Sequence, residues 1–424
     1  MSLQARDSKV IWHPFTQVAT SAKNIPIVRA EGVWLYAEDG QKYLDGTASW
    51  WVNAHGHAHP KIAAAINKQA LTLEHIIFAG FTHQPAVELA EKLVEFIQGN
   101  QTRIFYSDNG STSVEVALKM ALQYFHNQGF PRKKIIAFEQ AYHGDTFGAM
   151  SVGHRNAFSA AFGELLFDVE FISAPEKDKT AESLDLFSKI IHKNDVAAFI
   201  FEPLVQGANG MRMHDAETLS HMIDLARKNK VITVADEVFT GFYRTGKALA
   251  THHLNNKPDI ICLSKTLTGG TLPLGVTAVP EFVYDAFVSE NPLHTFFHGH
   301  SFTANPLSCS AAIASMELLL EKTCQENILR ISHAHKTFKK LILENKNIFE
   351  IRHLGTILAI ELKTQTERGY LNPISKEITQ FFLDRNIYLR PLGNVIYITP
   401  PYVISTEELN LIYQAILEFL ETIQ

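Results

Sequence analysis

The sequence predicts a two-domain α/β fold. A large domain is built on a mostly parallel sheet covered by helices, and a smaller α+β domain is assembled from the N- and C-terminal segments. Three observations predict it. The chain has 424 residues, too many for one minimal domain and enough for a large core plus a smaller unit. Between about residues 100 and 280, short apolar runs ending in polar or Gly-rich turns alternate with helix-like stretches. Beyond about residue 310 the texture changes to a long helical pattern, a charged region and short strand-like pieces.

Taken in order, the N-terminal segment holds all four tryptophans, Trp12, Trp34, Trp50 and Trp51. That much aromatic surface is expected to pack on the core, a pocket or a second subunit. The apolar runs 103–107, 134–138, 197–201, 231–235 and 260–263 are predicted strands, with helices over 114–125 and 218–228 between them. A helix is predicted over 307–320 and onward, then strands at 358–362 and 395–399. The resulting boundaries are 1–55 for an N-terminal segment of the small domain, 56–308 for the large domain and 309–424 for the C-terminal small domain.

Hydrophobic residues make up 46% and charged residues 19%, as in ordinary globular proteins, and the net charge is −6. An acidic surface argues against nucleic acid or an anionic membrane as partner. No apolar run approaches the roughly 18 residues of a membrane span, and the N-terminus lacks the apolar core of a signal peptide. Three cysteines (Cys262, Cys309, Cys324) without a CxxC pair suggest reduced thiols and a cytoplasmic setting.

In an open parallel sheet, ligands bind beyond the carboxyl ends of the strands. The residues after the predicted strands are Asp108-Asn109-Gly110-Ser111-Thr112, Tyr142-His143-Gly144, Glu202-Pro203, Asp236-Glu237-Val238 and Ser264-Lys265-Thr266. They should converge on one rim. In the first turn, Thr112 and Glu115 fit a capping box, Gly110 allows close backbone approach, and Ser111 adds a hydroxyl. Such a helix start suits a phosphate, and equally describes an ordinary capped helix. Lys265 is the only charged residue between Asp259 and Glu281. A buried setting would lower its pKa and free the amine to attack carbonyls, whereas a lysine that snorkels to solvent would do nothing of the kind. Asp236 closes an apolar strand, where a carboxylate can keep a pyridine nitrogen protonated or simply cap a helix. Tyr142 can stack on a flat cofactor or sit as a core aromatic. Each signal alone is weak. In this order, they are the four parts that pyridoxal phosphate (PLP) requires. The histidines His55, His57, His59, His298 and His300 are assigned no metal, because no cysteine or carboxylate completes a zinc-like spacing.

The motifs WHPFT (12–16), DGTASWWVNAHGH (45–57), AYHGDTFGAMSVG (141–153), EPLVQGANGMRMH (202–214) and LRPLGNVIYITPPYVI (389–404) carry a resemblance over nearly the whole chain. The chain resembles the class III (ω-)aminotransferases, PLP enzymes of fold type I. That implies a seven-stranded large-domain sheet and a homodimer with active sites at its interface. The narrower likeness is to the branch that aminates 8-amino-7-oxononanoate to 7,8-diaminononanoate in biotin synthesis, with S-adenosylmethionine as usual donor. Other class III branches act on ornithine, 4-aminobutyrate, lysine or polyamines, and a non-catalytic PLP-binding module is a third possibility. The paired tryptophans and the 389–404 segment favour the first.

Position by position, the resemblance implies that Lys265 links covalently to PLP and moves the proton, while Asp236 pairs with the ring nitrogen. Gly110 and Ser111 hold the phosphate, joined by His300 and Ser301 from the other subunit. Tyr142 stacks on the ring and Val238 packs on its opposite face; His143 and Glu202 complete the cofactor site. Phe15, Trp50, Trp51, Tyr142, Asp145, Arg244, Gly299, Arg390 and Tyr397 are the implied substrate-site residues, Arg390 taking the far carboxylate of the oxo-acid. The sequence departs from the group twice. Phe15 stands where a tyrosine is common, and Gly299-His300-Ser301 where Gly-Pro-Thr is common.

Overall fold

In the computed structural model, residues 1–156, 158–193 and 195–423 are described. Their centre is a seven-stranded sheet in the order Gln101–Ser107, Gly275–Pro280, Ile260–Leu263, Ile232–Asp236, Val196–Phe201, Lys134–Phe138, Glu170–Ile172. Neighbours pair in parallel, except that Gly275–Pro280 runs antiparallel to both its neighbours. Val196–Phe201 and Ile232–Asp236 are buried at every position, as a sheet covered on both faces demands. Side chains alternate between two cores. Ala198 and Ile200 belong with Val114 and Ala117 of the helix Gly110–Asn127, while Phe199 and Phe201 belong with Leu219 and Met222 of the helix Ala216–Lys228.

The five strands expected from apolar runs are present, displaced by two residues at most. Two others escape the pattern. Glu170–Ile172 has only three residues, and Gly275–Pro280 follows directly on a Gly-rich turn, so that its short run reads as loop.

The two chain ends meet. Ile27–Glu31, Trp34–Ala37 and Lys42–Asp45 form an antiparallel meander whose last strand pairs in parallel with Ile387–Tyr388, Asp45 lying beside Tyr388. A second sheet, Ile348–Leu354, Ile357–Leu362 and Val395–Ile398, is antiparallel. The helix Thr406–Thr422 starts with a Ser405/Glu408 capping box, and Trp34 Nε1 donates to the same Glu408 at 2.7 Å. The helix Pro306–Leu320 packs on the helices Pro60–Ala70 and Gln84–Ile97 and on the turn after Lys265. The seam expected at 308/309 therefore falls inside an unbroken helix. No helix among the described residues is long and apolar enough to cross a membrane.

Candidate active site

The register of the sheet brings the chemistry to one edge. Ala235 lies beside Phe201 and Asp236 beside Cys262 in strands that run the same way. Glu202, Asp236 and Ser264-Lys265 therefore leave the sheet together. A cavity of about 700 Å³ opens there, lined among others by Trp51, Gly110, Ser111, Tyr142, His143, Asp145, Glu202, Asp236, Val238 and Lys265. That is the size of a small-molecule site.

One side of the cavity is the start of the helix Gly110–Asn127. Its capping box is made by Asn109 and Thr112, not by Thr112 and Glu115. The helix begins two residues before Thr112, so the asparagine takes the cap position, accepting from Thr112 N at 2.9 Å. The amides of Gly110 and Ser111 have no acceptor among the described residues, which leaves them for an anion. Glu115 faces sideways instead. It accepts from Thr146 Oγ1 (2.5 Å), Gly148 N (2.7 Å) and Ala149 N (3.0 Å).

On the floor, Asp236 is buried and accepts from His143 Nδ1 at 2.7 Å and from Val238 N at 3.1 Å. His143 is itself buried, and this bond fixes its tautomer. Glu202 accepts from Tyr142 N (3.0 Å) and Gly207 N (2.9 Å). Burial, aided by the nearby Asp236 charge, pushes its carboxyl up to about 7 despite His143 and these amides. Burial also lowers the Lys265 ammonium below its ordinary pKa, while Asp236 and Glu202 pull the other way. The Lys265 Nζ lies 5.1 Å from the centre of the Trp51 ring, which itself packs on Phe239 at 4.6 Å. Lys265 has a φ of 47°, a left-handed conformation that costs a non-glycine residue about 1–2 kcal/mol. Its neighbours hold it there: Ser264 Oγ donates to Leu274 O at 2.7 Å, and Thr266 Oγ1 to Trp51 O at 3.3 Å. Strain of this kind concentrates at functional positions.

A strained, desolvated lysine, a strand-end aspartate held by a histidine, and free helix amides beside a serine together mark a site for a phosphorylated carbonyl cofactor. The family pattern Aminotransferase class-III matches residues 17–420. The chain belongs to the class III aminotransferases. It is 48% identical over 97% of its length to the adenosylmethionine-8-amino-7-oxononanoate aminotransferase of Synechococcus elongatus, covering 99% of that protein. It is 38% identical, over its full length and 98% of the relative, to the enzyme of the same name from Geobacter sulfurreducens. The crystal structure of the Methanocaldococcus jannaschii enzyme of that name superposes with a TM-score of 0.92 at 35% identity, covering 98% of each chain. The PLP-bound amine transaminase of an uncultivated Pseudomonas species superposes at 0.89 with 29% identity, over 96% and 97% of the two chains.

This class III aminotransferase is a PLP enzyme of fold type I, and the cavity fits the cofactor. A Cβ on Gly110 would come within 2.6 Å of Val238 Cγ1, so only glycine leaves this approach open. Asp236 keeps free lone pairs toward the cavity that it lines. Lys265 is the lysine within it. Tyr142 and Val238 line the same space.

Other implied residues lie elsewhere in the chain. Trp50 and Trp51 point different ways. Trp51 is buried and donates from Nε1 to the Tyr397 hydroxyl at 3.0 Å, whereas Trp50 is half-exposed, under the Arg390 guanidinium at 4.3 Å and edge-on to Phe15 at 5.4 Å. Neither this Phe15–Trp50–Arg390 cluster nor Tyr397, which packs on Trp51, belongs to the cavity lining. Gly299, His300 and Ser301 also lie outside that lining. Arg244 does not reach the cavity either. It is fully buried, donating to the carbonyls of Thr399 (3.3 Å) and Pro400 (2.8 Å) and lying over the Tyr402 ring. The histidines have ordinary partners: His55 with Ser315, His57 with Asp45, and His59 capping the helix Pro60–Ala70. Cavity residues that escaped the sequence argument include Thr146, Phe239, Thr268 and the turn 270–274. The hydroxyl directly after Tyr-His-Gly-Asp was the available signal for Thr146.

Proposed function

We propose that this aminotransferase converts 8-amino-7-oxononanoate to 7,8-diaminononanoate, the amination step of biotin synthesis, with S-adenosylmethionine as donor. The observation that carries this reading is the Arg390–Trp50–Phe15 cluster, which lies outside the lining of the Lys265 cavity. It offers a carboxylate receptor flanked by aromatic walls, set apart from Lys265, as a nine-carbon oxo-acid needs. The full-length likeness to relatives bearing that activity in their names supports it. A second cavity of about 890 Å³ shares Tyr142 and Ala208 with the first and gives a bulky donor room.

PLP, when bound, supplies the electron sink that lets a proton leave the carbon bearing the amine. Asp236, oriented by His143, keeps the ring nitrogen protonated. Lys265, whose ammonium is held below its ordinary pKa by burial, is placed to accept the leaving proton and return it. Ser111 and the amides of Gly110 and Ser111 hold the phosphate, and Tyr142 and Val238 confine the ring. Trp51 closes the pocket over the lysine. His300 and Ser301 reach a partner subunit's cavity in a homodimer; they lie between the exposed Phe297 and Phe302, apolar surface that a second copy would cover.

The test is a single half-reaction. The yellow PLP form is mixed with 7,8-diaminononanoate, and loss of its visible absorbance is followed together with release of 8-amino-7-oxononanoate. Rapid bleaching with that product is expected. Bleaching by ornithine or 4-aminobutyrate but not by this diamine would refute the substrate. Lys265→Ala should abolish turnover, and wild-type-like turnover would refute its role.

A further inference from the structure

The turn that carries Trp50 and Trp51 is strained at three positions. Ala48 (φ 49°), Ser49 (φ 60°) and Trp51 (φ 68°) all lie in the left-handed region, though none is glycine. Ser49, with ψ −104°, has a conformation that glycine alone adopts freely. Each such residue costs free energy, so the surroundings must hold the turn in place. The strain has a result, because it lets two adjacent indoles point different ways. Trp51 lines the cavity, with Lys265 Nζ 5.1 Å from its ring centre, and Trp50 lies under Arg390 at 4.3 Å.

The group that holds the turn is Asp45. Its carboxylate is fully buried and accepts from Thr47 N on one oxygen (2.9 Å) and from Ser49 N on the other (2.5 Å). The second oxygen also accepts from His57 Nε2 at 2.9 Å. A carboxylate can only accept, so the imidazole proton sits on Nε2, and Nδ1 accepts from Asn53 Nδ2 at 3.3 Å. The backbone of His57 is tied to Gly32 by two hydrogen bonds, His57 N to Gly32 O (2.7 Å) and Gly32 N to His57 O (3.3 Å). The imidazole is thus a fixed donor that sets the plane of the Asp45 carboxylate. In that plane, one oxygen meets each of the two amides of the turn.

We propose that Asp45, oriented by His57, is a positioning residue for substrate selectivity: it holds the strained turn whose indole at position 50 completes the carboxylate receptor with Arg390. This rests on the reading of Arg390 as that receptor. With Asp45 disabled, the turn relaxes and Trp50 leaves the arginine. A change at Trp51 weakens all amines alike, whereas a change at Trp50 weakens only those that carry a carboxylate.

The experiment compares two amines in the half-reaction of the yellow PLP form: 7,8-diaminononanoate and 2,3-diaminooctane, the same diamine without its carboxylate. The ratio of their apparent affinities, from the concentration dependence of bleaching, reads the receptor. Asp45→Asn keeps the shape but leaves one acceptor oxygen where two are used, and the ratio should fall about tenfold. Adding Ser49→Gly removes the strain at that position and should recover about fivefold of the loss. A merely structural loss would not be repaired by a glycine. His57→Leu should act like Asp45→Asn, whereas His57→Gln, which can still donate, should stay near wild type. The second readout needs no cofactor. In a Trp12→Phe background, which removes the most exposed indole, acrylamide quenching of the apoprotein's tryptophan emission should rise with Asp45→Asn and fall back with added Ser49→Gly. A wild-type ratio and wild-type quenching in Asp45→Asn would overturn the proposal, as would a double variant no better than Asp45→Asn. If thermal unfolding shows that Asp45→Asn does not fold, the His57 pair decides, and equal ratios in His57→Leu and wild type overturn the proposal. Wild-type protein with no preference for 7,8-diaminononanoate over 2,3-diaminooctane would instead overturn the Arg390 reading, and quenching would then decide the role of Asp45 by itself.

Discussion

The close approach of Gly110 and Val238 permits a quantitative test of the cofactor side of the cavity. In Gly110→Ala the added methyl meets Val238 Cγ1 at 2.6 Å and Cγ2 at 3.1 Å. Carbon atoms prefer about 3.5–4.0 Å, so the nearer contact is roughly 1 Å too short. Overpacking of this kind costs about 1–3 kcal/mol. In Val238→Ala both offending methyls are gone, and the nearest remaining atom of that residue, Cβ, is at 3.5 Å, an ordinary contact. That variant alone should lose only about 1 kcal/mol, because Val238 is partly buried and two methyls leave. The double variant should therefore be more stable than the sum of the singles by about 1–2 kcal/mol. Urea unfolding of the four apoproteins, followed by circular dichroism at one temperature, measures this coupling. Additivity within about 0.5 kcal/mol would mean that the two residues do not touch, and the reason given for glycine at 110 would fail.

Three further outcomes follow from buried polar groups. Glu202 has its carboxyl raised to about 7 by burial. Its protonated form therefore stabilises the fold below pH 4.5, and that contribution is lost as pH rises toward 7, by at most roughly 3 kcal/mol. The stability of wild type relative to Glu202→Gln should decline over that window, and a flat difference from pH 4.5 to 8 would refute it. His335, buried between the Tyr413 hydroxyl (2.7 Å) and Thr356 O (3.2 Å), is held down to about 3 by burial. Such a neutral histidine stabilises above pH 6.5 and loses about 2 kcal/mol by pH 5, so His335→Phe should be less stable than wild type at pH 8 and converge on it at pH 5; urea midpoints that stay equally far apart would contradict this. Trp51→Phe and Tyr397→Phe each leave one end of a buried 3.0 Å hydrogen bond unpaired, at a cost of about 1–3 kcal/mol. Unfolding midpoints of the double variant should show less than the sum of the two losses.

The parts of this protein that were legible in the sequence are those whose physics is local. A buried parallel strand must be an apolar run, and the turn after it must be polar if it meets a ligand. Asp236, Lys265, Tyr142 and Gly110 follow from that rule without knowledge of the fold, and they do line one cavity. What local pattern cannot convey is which partner a polar side chain chooses. Glu115 stands three residues after Thr112, a spacing that suits a capping box; Asn109 takes the cap, and the glutamate serves a loop thirty residues on. Arg244 has the chemistry of a substrate ligand, but carbonyls at 399 and 400 claim it, a contact that only the closed fold creates. The pairing of Lys42–Asp45 with Ile387–Tyr388 is of the same kind, since two short strands more than 340 residues apart carry no mark of each other. That pairing sets Asp45 beside Tyr388, two residues before Arg390 and five before Trp50, and so brings the arginine near the tryptophan it overlies. The strand-end cluster is thus written into successive strand ends of one sheet, whereas the Arg390–Trp50 cluster, which we propose as the carboxylate receptor, exists only because the two termini fold together. Substrate choice in this fold can therefore change through the terminal segments while the strand-end chemistry stays as it is.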